Sequence, residues 1–156
     1  MSEIAELVEK LTSEGEKYAA LFAGMTDEQW ASEVYTEGSV WTVKNILAHL
    51  VTAERGLTKL FSRIRDGDPG VSEDFDIDRY NAGQQEKAKD LSTQELLEQY
   101  KTGRAVLIEW VSGLAESDLE KTGRHPFLGQ TTLREMIKLI YLHNQLHFRD
   151  LKKILK

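Results

Sequence analysis

Four stretches of this chain repeat apolar residues at the spacing of an α-helix, and no stretch alternates with period two. A sheet face needs apolar residues at every second position, so this pattern restricts the fold to helices that bury one stripe each. In residues 3–24 the stripe is Ile4, Leu7, Val8, Leu11, Tyr18, Leu21 and Phe22. A second helix is predicted from Thr42 to about Asp66, facing inward with Ile46, Leu50, Ala53, Leu57, Leu60 and Ile64. A third region, 77–115, divides at "DLSTQE", where Ser92 and Glu95 form a capping box. Its ridge is Leu96, Tyr100, Gly103, Leu107 and Leu114, with Gly103 expected to mark a close helix approach. Thr132 and Glu135 cap a last helix that runs to the C-terminus.

The connections carry breakers. "TDEQ" at Thr26 predicts a short capped turn before a "YTEGS" loop, and "TGRHPFLGQ" is expected to be another loop. The acidic segment 66–76 resembles a calcium loop only superficially. Gly70 and Val71 occupy positions where an EF-hand needs Asp or Asn and the invariant glycine, so a solvated connection is expected. With two prolines in 156 residues, the economical fold is four antiparallel helices with one or two longer connections. The length suits a single domain over residues 1–156.

Composition narrows the function. The net charge is −6 and the basic residues are scattered, which argues against nucleic acid as a partner. The chain lacks the run of about 18 apolar residues that spans a bilayer, and "MSEIAELVEK" is not a signal peptide, so no membrane association and a cytoplasmic location are expected. There is no cysteine. Any thiol chemistry must therefore use a thiol brought in from outside.

Chemistry concentrates in the histidines. "YLHNQLHFRD" (141–150) holds His143 and His147 four residues apart. On a helical wheel His147 lies about 40° and His143 about 80° from the centre of the inward face, and His49 lies about 60° from its own. Side chains four apart on a helix can converge on one ion, and a third imidazole from a facing helix would complete a three-nitrogen face. Core-margin histidines that merely bond to backbone satisfy the same spacing. "HNQLH" lacks the glutamate of zinc proteases, and no glutamate stands three residues before any histidine, as di-iron bundles require.

Context extends this reading. "SVWTVKNILAHL" (39–50), "DIDRYN" (76–81) with "LSTQELLEQY", and "HPFLGQTTLREMIKLIYLHNQLHFRDL" resemble, in order, the helices of the DinB-like superfamily. The resemblance implies an all-α four-helix bundle of up-down-down-up type with long, right-handed crossover connections. It implies that His49, His143 and His147 hold a divalent transition metal, zinc or nickel. It also implies a small-molecule substrate, a low-molecular-weight thiol such as bacillithiol or mycothiol as co-substrate, and a homodimer. The activity expected is that of a metal-dependent S-transferase or hydrolase acting on small electrophiles. The alternative is a non-enzymatic dimerising or binding protein with a structural or vestigial metal site.

Other residues are weighed by position. His125 is expected to brace its loop rather than line a pocket mouth, and Asn144 either orients a ligand or satisfies a buried backbone group. Glu54 and Asp150 are expected to be exposed helix charges, with support of a metal-ligating histidine as the other option, and Trp30, Trp41 and Trp110 core or pocket wall, with cofactor stacking as theirs. Tyr35 and Arg104 receive surface or packing roles, with an anionic substrate group as the other option.

Overall fold

Each long helix opens on a hydroxyl. In the computed structural model, which describes residues 2–155, Ser2, Thr42, Ser92 and Thr132 each accept a hydrogen bond from the N–H of the third helical residue. The helices are α1 (Glu3–Ala23), α2 (Asp27–Trp30), α3 (Val43–Arg65), α4 (Ile77–Ala88), α5 (Thr93–Ser112) and α6 (Leu133–Ile154). A 3₁₀ turn, Glu116–Glu120, follows α5. The reciprocal half of the capping box forms at Thr26/Gln29 and Thr42/Asn45. At Ser92 and Thr132 only the hydroxyl half forms, and Glu95 and Glu135 stay in solvent.

Strands do occur, against the expectation from periodicity. β1 (Glu33–Tyr35) pairs with β2 (Trp41–Thr42), and β3 (Thr122–His125) with β4 (Gly129–Thr132), both antiparallel. Strands of two to four residues are too short to display alternation, so the two expected loops fold as hairpins. Both hairpins serve the helix that follows. The Val43 N–H donates to the Ser32 carbonyl and the Leu133 N–H to the Lys121 carbonyl, so each hairpin satisfies a helix-start donor that would otherwise be orphaned. Gly70 (φ +100°) joins the acidic segment to β3, and a Cβ there would meet Arg124 backbone at 2.4 Å.

Two apolar clusters define the bundle and its directions. One gathers Tyr18 and Phe22 from the end of α1, Ile46 and Leu50 from the start of α3, Leu96 and Tyr100 from the start of α5, and Phe148 and Leu151 from the end of α6. The other takes the opposite ends: Leu7 and Leu11, Phe61 and Ile64, Leu107 and Val111, Leu133 and Ile137. The four long helices therefore run up, down, down, up. α1 and α3 each pack between α5 and α6. The neighbouring pairs α3/α5 and α1/α6 are parallel, a departure from the all-antiparallel arrangement that periodicity alone suggested.

Between the clusters lies a polar layer with one contribution from every long helix: Glu14, Glu54, Arg104 and Asn144, all buried. Glu54 and Arg104 form a bidentate pair, Nε to Oε2 at 2.9 Å and Nη2 to Oε1 at 2.8 Å. Arg104 Nη1 also donates to the Leu11 carbonyl at 2.8 Å. The close helix approach is made by Gly15, whose missing Cβ leaves room for the Arg104 side chain at 3.0 Å, whereas a Cβ on Gly103 would meet open space. Glu54 is thus not an exposed helix charge, and Arg104 is spent inside the fold. Trp30 stacks on Phe22 in the core, and Trp110 packs against Phe61.

Candidate metal centre

The three histidines come together. His49 on α3 faces His143 and His147 on α6, and one ring nitrogen from each lies within 4.8 Å of the other two. His143 Nε2 is 3.3 Å from His49 Nε2 and 2.9 Å from His147 Nε2. An ion that holds nitrogens tetrahedrally at 2.0–2.1 Å spaces them about 3.3 Å apart, so the donor set fits such an ion. Trp41, on β2, lies with its indole 5.2 Å from the His49 ring.

A relay orients His147. Tyr35 on β1 donates its hydroxyl proton to Asp150 Oδ2 at 2.6 Å, so its oxygen accepts from His147 Nδ1 at 3.0 Å. The His147 proton is thereby held on Nδ1 and the Nε2 lone pair turns toward the other two rings. His143 carries at most one proton on Nε2, which can serve only one neighbour. A cation at the centre serves all three. Asp150 is therefore half-buried and engaged rather than a free helix charge, and Tyr35 is more than a packing residue. The i, i+3 spacing from His147 to Asp150 was a readable signal. The Tyr35 contribution, 112 residues away, was not.

All four imidazoles are held in their neutral form. Burial, with the neighbouring rings adding to it, pushes His49 down to about 3 and His147 to about 4. Burial also lowers His143. His125 falls to about 4, from burial and then His143. Neutral imidazole is the ligand form. These rings have folded-state values below 6.5, so the unfolded chain binds more protons as pH falls. Stability from keeping them neutral is complete above pH 6.5 and is lost on acidification toward about 4 for His125 and His147 and about 3 for His49. Urea midpoints of chelator-treated protein should fall through the upper part of that window, before carboxylates titrate. Midpoints that stay flat or rise there would contradict the burial of these rings.

His125 braces its hairpin, as expected: its Nδ1 accepts from the N–H groups of Phe127 and Leu128 at 3.0 and 3.1 Å. That fixes its proton on Nε2, a buried atom without a protein partner. It also lines the same cavity as the triad, so bracing and lining were not alternatives. Asn144 donates to the Ile140 carbonyl at 2.7 Å and leaves Oδ1 unpartnered, serving the buried backbone rather than a ligand.

The triad opens onto a cavity of about 770 Å³ between α3, α4, α6 and the β3–β4 hairpin. Its walls include Trp41, Leu60, Phe75, Tyr80, Phe127 and Leu146. A structural metal site is closed on all sides, whereas three protein ligands beside an open pocket leave a coordination position for water or substrate.

Solved structures share this fold. YfiT from Bacillus subtilis, described as "a probable metal-dependent hydrolase with an unusual four-helix bundle topology", superposes with a TM-score of 0.80 at 16% identity, over 98% of this chain and 87% of that one. A mycothiol-dependent maleylpyruvate isomerase gives 0.77 at 14% identity, over 96% of this chain and 61% of its own length. The colibactin self-resistance protein ClbS, solved with double-stranded DNA, gives 0.71 at 17% identity, over 100% and 99%. No curated protein sequence matches the chain. No helix among the described residues is long and apolar enough to cross a membrane. The family model of the DinB superfamily matches residues 10–151, and the chain belongs to that superfamily.

Proposed function

We propose that His49, His143 and His147 bind one divalent transition-metal ion, zinc or nickel, and that the protein is a metal-dependent enzyme acting on a small electrophile in the adjoining cavity. The observation that carries this reading is the convergence of three neutral ring nitrogens on an open pocket, with His147 fixed in its ligand tautomer. A bound ion of this kind lowers the pKa of a water or thiol and presents it as a nucleophile. The chain has no cysteine, so a thiol would enter as a co-substrate. The names of two structural neighbours, "a probable metal-dependent hydrolase" and a mycothiol-dependent isomerase, are in keeping with both nucleophiles.

The protein's own residues do the positioning. Tyr35 and Asp150 hold the His147 ring and its proton in place. Trp41 packs beside His49 and limits its rotation. The apolar walls beside the triad lower the local dielectric, which strengthens polar contacts there. A neighbour solved with DNA does not shift the reading, because the triad here lies in a recess of small-molecule size.

Elemental analysis of untagged protein tests the metal. Close to one equivalent of zinc or nickel per chain is expected after reconstitution. Less than about a tenth of an equivalent, with no rise in thermal stability on adding either ion, would refute the reading; saturating an ion at about 100 times its Kd should raise Tm by about 5–10 °C.

A further inference from the structure

The charge of the cavity is opposite to the charge of the chain. The sequence has 26 acidic and 20 basic residues. Around the cavity, Arg55, Lys59, Arg63 and Lys87 stand against a single carboxylate, Asp78. Three of these cations come from α3 at i, i+4 and i+8, so they form one row about 6 Å apart along the helix. The row begins six residues beyond His49, about 9 Å along the axis.

Some lysines elsewhere pair with a carboxylate at helical spacing, whereas others, Lys17, Lys138 and Lys152 among them, form no ion pair among the described residues. Lys10 pairs with Glu14, Lys89 with Glu86, Lys101 with Glu98 and Lys153 with Asp150, each at i, i+3 or i+4. On α3 the exposed row has no such partners. The sole carboxylate of that helix is Glu54, buried against Arg104. Among the described residues Arg55, Lys59 and Lys87 form no ion pair, and Arg63 reaches only Asp68, at 4.0 Å. Like charges at i, i+4 repel, so the fold gains nothing from the row. Packing explains the row no better, since these side chains are exposed.

We propose that the cavity takes a small organic anion whose reactive group lies at the three histidines and whose carboxylate or phosphate groups lie along Arg55, Lys59 and Arg63. Lys87 faces the same ligand from α4. Arginine grips either group with two parallel hydrogen bonds, and lysine adds a point charge. The volume, about 770 Å³, suits a small molecule and not a macromolecule. This assignment rests on the metal reading above, because that reading supplies the anchor for the other end of the ligand.

The test uses full-length protein loaded with cobalt(II), whose thiolate complexes absorb in the near ultraviolet. Two thiols of similar size are titrated: mercaptosuccinate, a dicarboxylate, and thioglycerol, which is neutral. Mercaptosuccinate should bind at least about tenfold tighter, with a preference that shrinks as salt rises. The Arg55→Glu/Lys59→Glu double variant should lose that preference and leave thioglycerol affinity within about twofold, its folding checked by thermal melting. Displacement by tricarballylate or by glycerol 3-phosphate supports the proposal either way and tells carboxylate from phosphate. Equal binding of the two thiols by wild-type protein, with the cobalt band intact, overturns the anion assignment and leaves the metal reading standing. Displacement by a short DNA duplex in preference to either small anion overturns it in favour of nucleic acid. Failure to bind cobalt at all removes the metal reading, and the anion assignment falls with it.

Discussion

Arg104→Met is expected to destabilise the fold by about 3–5 kcal/mol, a large fraction of the roughly 5–15 kcal/mol that holds a domain of this kind together. The loss does not reflect a strong attraction given up. Glu54 is 5% exposed, and its carboxylate is satisfied by Arg104 Nε and Nη2. Without the guanidinium a charge remains in the polar layer between two apolar clusters, and the Leu11 carbonyl loses a donor. The sign of the effect reverses with the partner. Arg104→Met combined with Glu54→Leu removes both charges and should recover most of the loss, because a buried pair contributes little beyond what well-packed hydrophobes of similar volume provide. Urea denaturation of the two single variants and the double variant measures this directly. A single variant within about 1 kcal/mol of wild type, or a double variant worse than both singles, would mean that the pair is solvated in solution.

The second large effect concerns metal affinity. His49→Ala removes the one imidazole that α3 brings to the triad and, on the proposed function, should weaken zinc binding on the order of 1,000-fold or more, a loss of at least about 4 kcal/mol. Tyr35→Phe leaves all three imidazoles in place but removes the acceptor that holds the proton on His147 Nδ1. Its expected cost is smaller, roughly 10–100-fold, as for other partners that orient a ligating histidine. Asp150→Asn should fall in the same range, since it acts through the same tyrosine. Competition with a chromophoric chelator gives all three constants. The order is the informative result: Tyr35→Phe indistinguishable from wild type would remove the relay, and His49→Ala indistinguishable would remove α3 from the site.

What could be read in the sequence was whatever repeats locally. Long helices announce themselves by stripe and cap, so Thr42, Asp66, Ser92 and Thr132 mark real ends or starts. The histidines were legible for the same reason, because a wheel places His49, His143 and His147 at core margins from their neighbours alone. The polar layer was hidden. Glu54 and Arg104 are 50 residues apart, and each looks like an ordinary charge on a helix surface until the packing of α3 on α5 is known. The hairpins were hidden by brevity. Gly103 misled because mid-helix glycine is ambiguous: the mid-helix positions with no room for a side chain are Gly15, facing Arg104, and Gly56, facing the Tyr80 hydroxyl.

The order of the helices has a consequence for how the protein is made. α1 packs on α5 and α6, and α1 ends at Ala23 whereas α5 begins at Thr93. A ribosome adding about 5–20 residues per second needs about 4–14 s to cover that gap. For that time the stripe Leu7, Leu11, Tyr18 and Phe22 emerges without the partners that cover it in the finished bundle. The closing step also comes last, since α6 supplies two of the three imidazoles and a wall of both clusters. A helical protein wired this way should fold more slowly than a bundle whose neighbouring helices are consecutive in the chain. During synthesis it presents an amphipathic helix to any chaperone that binds one, and the three imidazoles can meet only after His147 has left the ribosome.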